Sequence, residues 1–223
     1  MKTSCDIHQL LQFLAELAAH NERPWFKAHK DRWDALRLAW EQDIQRLIAL
    51  VAEYDPQARG LTVRDAAYRI YRDIRFSPDK SPYKTWTGAV IGRGGRHAIQ
   101  SCYYVHFQPD HLMLCGGIWW PATDILQRLR RLIDAEPDEW LAIVNHPDIT
   151  RHFHWECNTL KTMPRGFDRD HPLAQFIKMK EYILVRHLDE QYFDCDDWVQ
   201  RMADDLRPLK PMHDFLNYVF EPD

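Results

Sequence analysis

Hydrophobic residues recur at helical spacing in the N-terminal part of the chain. The first stripe, within residues 7–17, predicts a helix that ends near His20. A second stripe predicts one long helix from Asn21 to Asp55, where Pro56 stops it. Its apolar positions are Trp33, Leu36, Trp40, Ile44, Leu47 and Val51.

The hydrophobic period changes to two from about residue 66, and β-branched and aromatic residues become frequent. Short breaks at Gly92–Gly95 and Pro109-Asp110 favour hairpins, so neighbouring strands are predicted to be antiparallel. The predicted strands cover residues 66–76, 86–92, 101–108 and 111–119.

In the C-terminal half, some segments have hydrophobic residues at helical spacing and others at every second position. Pro121 and Pro137 each open a predicted helix, and two terminal helices are predicted at about 196–206 and 211–220. Strand-like patterns lie between these pairs, at 151–156 and 182–185.

This order of elements predicts an α+β fold with a central, mostly antiparallel sheet flanked by N-terminal and C-terminal helices. Because no linker or repeat interrupts the chain, residues 1–223 are predicted to form a single domain. It would have a helical N-terminal part (1–56), a sheet-rich middle (66–119) and a mixed, helical C-terminal part (121–223).

Composition narrows the class of protein. A formal net charge of −4 and a pI near 6.3 argue against a broad basic surface for nonspecific nucleic-acid binding. Five scattered cysteines without a C-x-x-C pair indicate free thiols in a reducing cytoplasm. No secretion signal or membrane span is expected, and the oligomeric state is left open.

Positive charge is concentrated in residues 69–84. This segment has five cations and two acids, a net +3 within an acidic chain. The cations are Arg69, Arg72, Arg75, Lys80 and Lys84; the acids are Asp73 and Asp79. We therefore expect a local site for a small anion.

If residues 69–76 formed a strand, Arg69, Tyr71, Asp73 and Arg75 would share one face. Asp73 would then hold an arginine in a fixed orientation, and the following turn would return Lys80, Lys84 and Tyr83 to the same region. Asp73 and Tyr83 are the candidates for proton transfer, although neighbouring arginines would make Asp73 a weak base.

The residues leave several interpretations open. The leading one is an anion pocket, and it leaves open whether the chain is an enzyme acting on a phosphorylated small molecule or nucleotide. The alternatives are a nucleic-acid-binding module, a noncatalytic protein-interaction domain, and a buried Arg/Asp network that only fixes the fold.

Residues 69–84 also resemble a known family, the largely bacterial domain-of-unknown-function family number 2461. Its motif is R-x-x-R-D-x-R-F, followed closely by an acidic or amide residue, Lys, any two residues and Tyr. The resemblance extends over nearly the whole chain, and it implies no particular reaction. The matching residues are Arg69, Arg72, Asp73, Arg75, Phe76, Asp79, Lys80 and Tyr83.

Other motifs are weaker. Five residues near the start of the second predicted helix are candidates for a further wall of the pocket: Asn21, Arg23, Trp25, His29 and Lys30. Trp119 is a candidate for lining a cleft. Gly92–His97 lacks the order of a nucleotide-binding loop, so no cofactor is predicted.

The strand-like pattern at 151–156 contains a candidate set of metal ligands. His152, His154 and Glu156 alternate as a two-histidine, one-carboxylate set would. However, His152 and Glu156 would lie about 13 Å apart on an extended strand, so no metal is predicted.

Overall fold

A computed structural model describes residues 4–221. The chain begins with α1 (Ile7–Ala19), capped by Asp6, whose carboxylate accepts from the Gln9 backbone N–H at 3.1 Å. The second predicted helix is two helices, α2 (Arg23–Ala28) and α3 (Lys30–Tyr54). His29 separates them, and its ring Nδ1 lies 2.8 Å from the Trp25 carbonyl oxygen. The single-helix prediction was wrong because this side chain caps the end of α2.

Five strands form one antiparallel sheet in the order β1-β2-β3-β5-β4. The predicted hairpins and the predicted fold class are both confirmed. The strands are β1 (Thr87–Ile91), β2 (Cys102–Phe107), β3 (Leu112–Ile118), β4 (His154–Trp155) and β5 (Tyr182–Leu188).

The strand predicted at 66–76 is not formed. Residues 63–66 are a helical turn, α4 (Val63–Ala66), and the following residues form isolated bridges instead of a strand, Ala67 with Ala89 of β1 and Tyr71 with Tyr83. We call residues 67–72 the arm. The Lys84 ammonium donates to the carbonyls of Arg69 (2.5 Å) and Tyr71 (3.1 Å), so these oxygens are not available to a partner strand.

Helices dominate the rest of the chain. The two terminal helices and those opened by Pro121 and Pro137 are confirmed, whereas the strand-like pattern at 151–156 is reduced to the two residues of β4. The helices are α5 (Thr123–Ala135), α6 (Pro137–Val144), α7 (Pro147–Thr150), α8 (Ala174–Ile177), α9 (Trp198–Leu206) and α10 (Lys210–Asn217). Short 3₁₀ turns cover Pro56–Ala58, Gly95–His97, Glu190–Phe193, Arg207–Leu209 and Tyr218–Phe220.

One face of the sheet packs into a continuous apolar core with helices from both ends of the chain. At Gly117 (φ 139°) a Cβ would lie 1.8 Å from the Tyr182 carbonyl oxygen, so only glycine permits the approach of β5. Asn217 of α10 closes the core, accepting from the Ser101 N–H (2.7 Å) and donating to its carbonyl (3.1 Å).

Two further sequence expectations concern membrane spans and the state of the cysteines. None of the helices described between residues 4 and 221 has both the length and the apolar character needed to span a bilayer. All five cysteines are free thiols, and burial raises the pKa of Cys5, Cys102 and Cys115 to about 12. These three thiols are therefore neutral at physiological pH.

Candidate functional site

A cavity of about 450 Å³ lies between the N-terminal half of α3 and the arm. We call it the α3–arm cavity. Its wall on α3 is formed by Lys30, Trp33, Asp34, Arg37, Trp40 and Glu41, its wall on α4 by Val63 and Arg64, and its far wall by residues 67–71 with Thr87.

The α3 wall follows from helix geometry. Each of its six residues lies three or four positions from another, so they form one stripe on the helix. Trp33 and Trp40 in this stripe are core residues as predicted, with at most 5% of either exposed. Arg37 was not among the predicted site residues, although its spacing from these tryptophans is visible in the sequence.

Charge in the cavity is unevenly paired. On α3, Lys30 pairs with Asp34, and Arg37 Nη1 donates to both carboxylate oxygens of Glu41, at 2.9 and 3.0 Å. Across the cavity, the side chains of Arg64 and Arg69 form no hydrogen bond or ion pair with any residue from 4 to 221. The surplus positive charge therefore lies on the α4–arm side, where a ligand anion would find unpaired donors.

The arm is held in place by local hydrogen bonds. The Tyr68 N–H donates to the Gly88 carbonyl (2.9 Å) and the Lys84 N–H to the Ile70 carbonyl (2.7 Å), so the arm runs antiparallel to the chain entering β1. Asn21 secures the other side of this irregular hairpin. Its side-chain amide donates to the Tyr83 carbonyl (3.0 Å), and its oxygen accepts from the Tyr83 N–H (3.1 Å).

The loop beyond the arm, residues 73–81, is organised by its own ion pairs. Arg75 donates to both carboxylate oxygens of Asp73, at 2.9 and 2.6 Å, and Arg72 pairs with Asp79. Lys80 donates to the Ile74 carbonyl at 3.0 Å. Both acids also accept backbone N–H groups two residues ahead, which turns the chain locally and opposes strand formation.

These contacts determine the charge states of the loop. Hydrogen bonds from Arg75 lower the pKa of Asp73 to about 2, and hydrogen bonds from Ser81 and Arg72 hold the pKa of Asp79 far below its usual range. Asp73 is therefore a poor proton acceptor at neutral pH, as expected from its neighbours.

Only one of the five cations predicted to bind the anion lines the cavity, namely Arg69. Arg72, Arg75 and Lys80 are engaged within the loop. Lys84 supports the arm from below, stacked 5.5 Å over the Trp86 ring, and burial lowers its pKa. The shared face expected for residues 69–75 does not exist because it required a strand.

The remaining candidates are dispersed. Tyr83 is buried and stacks on Phe26 with ring centroids 4.1 Å apart; burial raises the pKa of its hydroxyl, while the charge of nearby Arg23 opposes the rise. Lys30 lines the cavity, whereas Arg23 and Trp119 do not. Trp119 is 68% exposed after the end of β3.

The residues considered for a metal are placed differently from the sequence pattern. Glu156 Oε1 lies 2.9 Å from His154 Nε2 and 2.6 Å from His187 Nε2. His187 replaces His152 in the cluster, and no sequence spacing indicates it because it comes from β5, 31 residues beyond Glu156.

Comparison with known proteins places the chain in a family without adding a function. A family model described as "Conserved hypothetical protein (DUF2461)" matches residues 9–215. No curated protein and no solved structure matches the chain significantly.

Proposed function

We propose that this chain, which belongs to the DUF2461 family, binds a small organic anion in the α3–arm cavity. The observation that carries the proposal is the pair of arginines, Arg64 and Arg69, which face no acidic partner within residues 4–221 while lining one cavity. Each guanidinium presents donors suited to a phosphate or carboxylate.

The rest of the cavity favours a ligand that also has a flat, apolar part. Tyr68 and Tyr71 lie on the arm beside Arg69, and 57% of Tyr71 is exposed. Aromatic rings at this position offer stacking surfaces. A volume of about 450 Å³ falls within the range of small-molecule sites. A nucleoside monophosphate or another aromatic phosphate or carboxylate combines both features.

The acids on α3 determine where in the cavity an anion would bind. Asp34 and Glu41 are neutralised by Lys30 and Arg37, so an anion placed near α3 would compete with two existing ion pairs. An anion placed near the arm would meet Arg64 and Arg69 without displacing anything. The charged group is therefore assigned to Arg64 and Arg69, and the flat group to the neighbouring tyrosines of the arm.

The test is a thermal-shift experiment on the purified protein with inorganic phosphate, adenosine, adenosine monophosphate and benzoate. A ligand present at 100 times its Kd stabilises by about 2.7 kcal/mol, which raises the melting temperature of a protein of this size by roughly 5 to 10 °C. We expect a shift with an aromatic anion and none with adenosine.

Two arginine variants make the test specific. Arg69→Ala removes a cavity donor and should abolish the shift; Arg75→Ala removes an arginine of the same segment that is paired outside the cavity and should leave it intact. A shift that survives Arg69→Ala, or the absence of a shift with every anion, would refute the proposal.

A second candidate, binding of single-stranded nucleic acid, is favoured by one observation at the loop. Phe76 is 94% exposed, with the Arg75 guanidinium 5.9 Å from its ring centroid. Exposed rings beside arginines stack on unpaired bases. Oligonucleotide binding that weakens steeply with salt and is lost in Phe76→Ser, but not in Arg69→Ala, would establish this function instead. For either function, the free thiols favour a cytoplasmic location.

A further inference from the structure

The face of the sheet opposite the main core carries a cluster of metal-ligand side chains. On this face, three residues form a small apolar cluster separate from the main core: Cys115, Ile183 and Val185. Next to them lie His154 on β4, Glu156 just after β4, and His187 on β5. From this arrangement we propose that His154, Glu156 and His187 bind a divalent transition-metal ion.

The ligand atoms already converge. Both histidines approach the same carboxylate oxygen, Glu156 Oε1, through Nε2, at 2.9 and 2.6 Å. The two imidazole rings face one another, with centroids 5.4 Å apart and planes 29° apart. One ligand atom from each residue lies within 4.8 Å of the other two. A single ion can therefore contact all three side chains.

Backbone pairing places these residues. His154 is opposite Val185 in the β4–β5 register, and His187 follows two residues later on the same face. The Glu156 N–H still donates to the Ile183 carbonyl at 3.1 Å, so Glu156 also remains attached to β5. Val185, 2% exposed, provides a rigid base beneath the side chains. The site is thus built on paired strands and not on a loose loop.

The donor set determines the class of ion. Two imidazoles and one carboxylate suit Zn²⁺, Co²⁺, Ni²⁺ or Fe²⁺, whereas Mg²⁺ and Ca²⁺ prefer oxygen ligands only. Bonds of about 2.0 to 2.1 Å separate tetrahedral ligand atoms by about 3.4 Å, so the side chains must open by less than about 1 Å. All three residues are exposed, which permits this adjustment.

The number of protein ligands also indicates what kind of site the ion would form. Three protein ligands leave at least one coordination position for water or a substrate atom, as in catalytic zinc sites, whereas structural sites are closed by four ligands. The site is separate from the α3–arm cavity, since they share no residues. This inference is therefore independent of the proposed anion binding.

The test is a calorimetric titration of the untagged, chelator-treated full chain with Zn²⁺. We expect one equivalent to bind. Replacing a ligand with His154→Ala or His187→Ala should weaken the affinity at least about 100-fold, beyond the loss typical of outer-shell changes. His152→Ala is the matched control, an exposed histidine two residues from His154 and outside the cluster, and it should bind like the parent.

Cobalt gives a second measurement that does not depend on affinity alone. Co²⁺ bound to the parent should produce a visible absorption band that is absent from the His187→Ala variant, and excess Mg²⁺ should not remove it. Circular dichroism checks that each variant is folded. The proposal is overturned if the parent binds no Zn²⁺, or if the two ligand variants bind it as tightly as His152→Ala does.

Discussion

The buried histidine of α10, His213, should make the fold sensitive to mild acid. Its Nδ1 lies 2.6 Å from the Ser101 hydroxyl oxygen, and its Nε2 is buried without a partner among residues 4–221. Burial lowers the pKa of this imidazole to about 3, and the nearby Lys210 acts in the same direction. A protonated ring would place an unpaired charge in the core.

The sign of the effect follows from proton binding. The folded protein keeps His213 neutral down to its lowered pKa, whereas the unfolded chain protonates it near pH 6.5. Stability from this group is therefore fully present above about pH 6.5 and is lost as the pH falls through that value toward 3. Between about pH 6.5 and 5.0 the free energy of unfolding should fall by about 1.5 to 2 kcal/mol from His213 alone.

The assay is urea unfolding followed by tryptophan fluorescence at several pH values in that interval, on the parent and on His213→Asn. Asparagine offers a polar group near the position of Nδ1 but does not titrate. The parent should lose about 1.5 to 2 kcal/mol more than the variant. His8, whose pKa is raised by Asp194 and Glu190, contributes in the opposite direction, but equally to both proteins. Parallel curves for the two proteins would refute the reasoning.

Four substitutions test the sheet packing, the two asparagine hydrogen-bond pairs and one exposed ion pair. Gly117→Ala places a methyl group 1.8 Å from the β5 backbone at a positive φ, so urea unfolding should show a loss of about 3 kcal/mol or more; an unchanged midpoint would contradict that contact. Asn217→Ala leaves two buried backbone groups unpaired and should cost about 2 to 4 kcal/mol, whereas Asn21→Ala should cost less because Asn21 is only partly buried. A larger cost for Asn21→Ala than for Asn217→Ala would mean that the Asn21 hydrogen bonds contribute more to the stability of the whole fold. Arg75→Ala breaks only an exposed ion pair and should leave the melting temperature unchanged; a large decrease would revive the structural-network interpretation.

The elements that the sequence predicted well are those determined by local chemistry. Apolar stripes indicated α1 and the terminal helices, and the short turns before β2 and β3 indicated antiparallel pairing. The irregular conformation of the arm was not predicted because its hydrophobic residues alternate with the period of a β-strand. The Lys84 ammonium lies 15 residues from Arg69 and 13 from Tyr71 in sequence, and it donates to the two carbonyls that a partner strand would have paired.

Candidate sites were harder to predict because they depend on which segments meet. The cation-rich motif was visible, but nothing in its spacing shows that Arg72 and Arg75 pair within the loop while Arg69 lines a cavity. Arg64 lies five residues before Arg69 in sequence, and the turn of α4 places both on the side of the cavity opposite α3. His187 joins Glu156 only through the register of β4 and β5.

The two asparagine clamps explain how distant parts of the chain support the α3–arm cavity. Each amide satisfies both the N–H and the carbonyl of a single residue, Tyr83 before β1 and Ser101 before β2, as a paired strand would. The chain entering β1 is thus held by the α1–α2 connection, and the chain entering β2 by α10. Because Tyr83 also bridges to Tyr71 of the arm, displacement of the α1–α2 connection would move the cavity wall. The shape of the cavity is therefore coupled to the N-terminal helices as well as to β1, which the arm joins through the Ala67–Ala89 bridge.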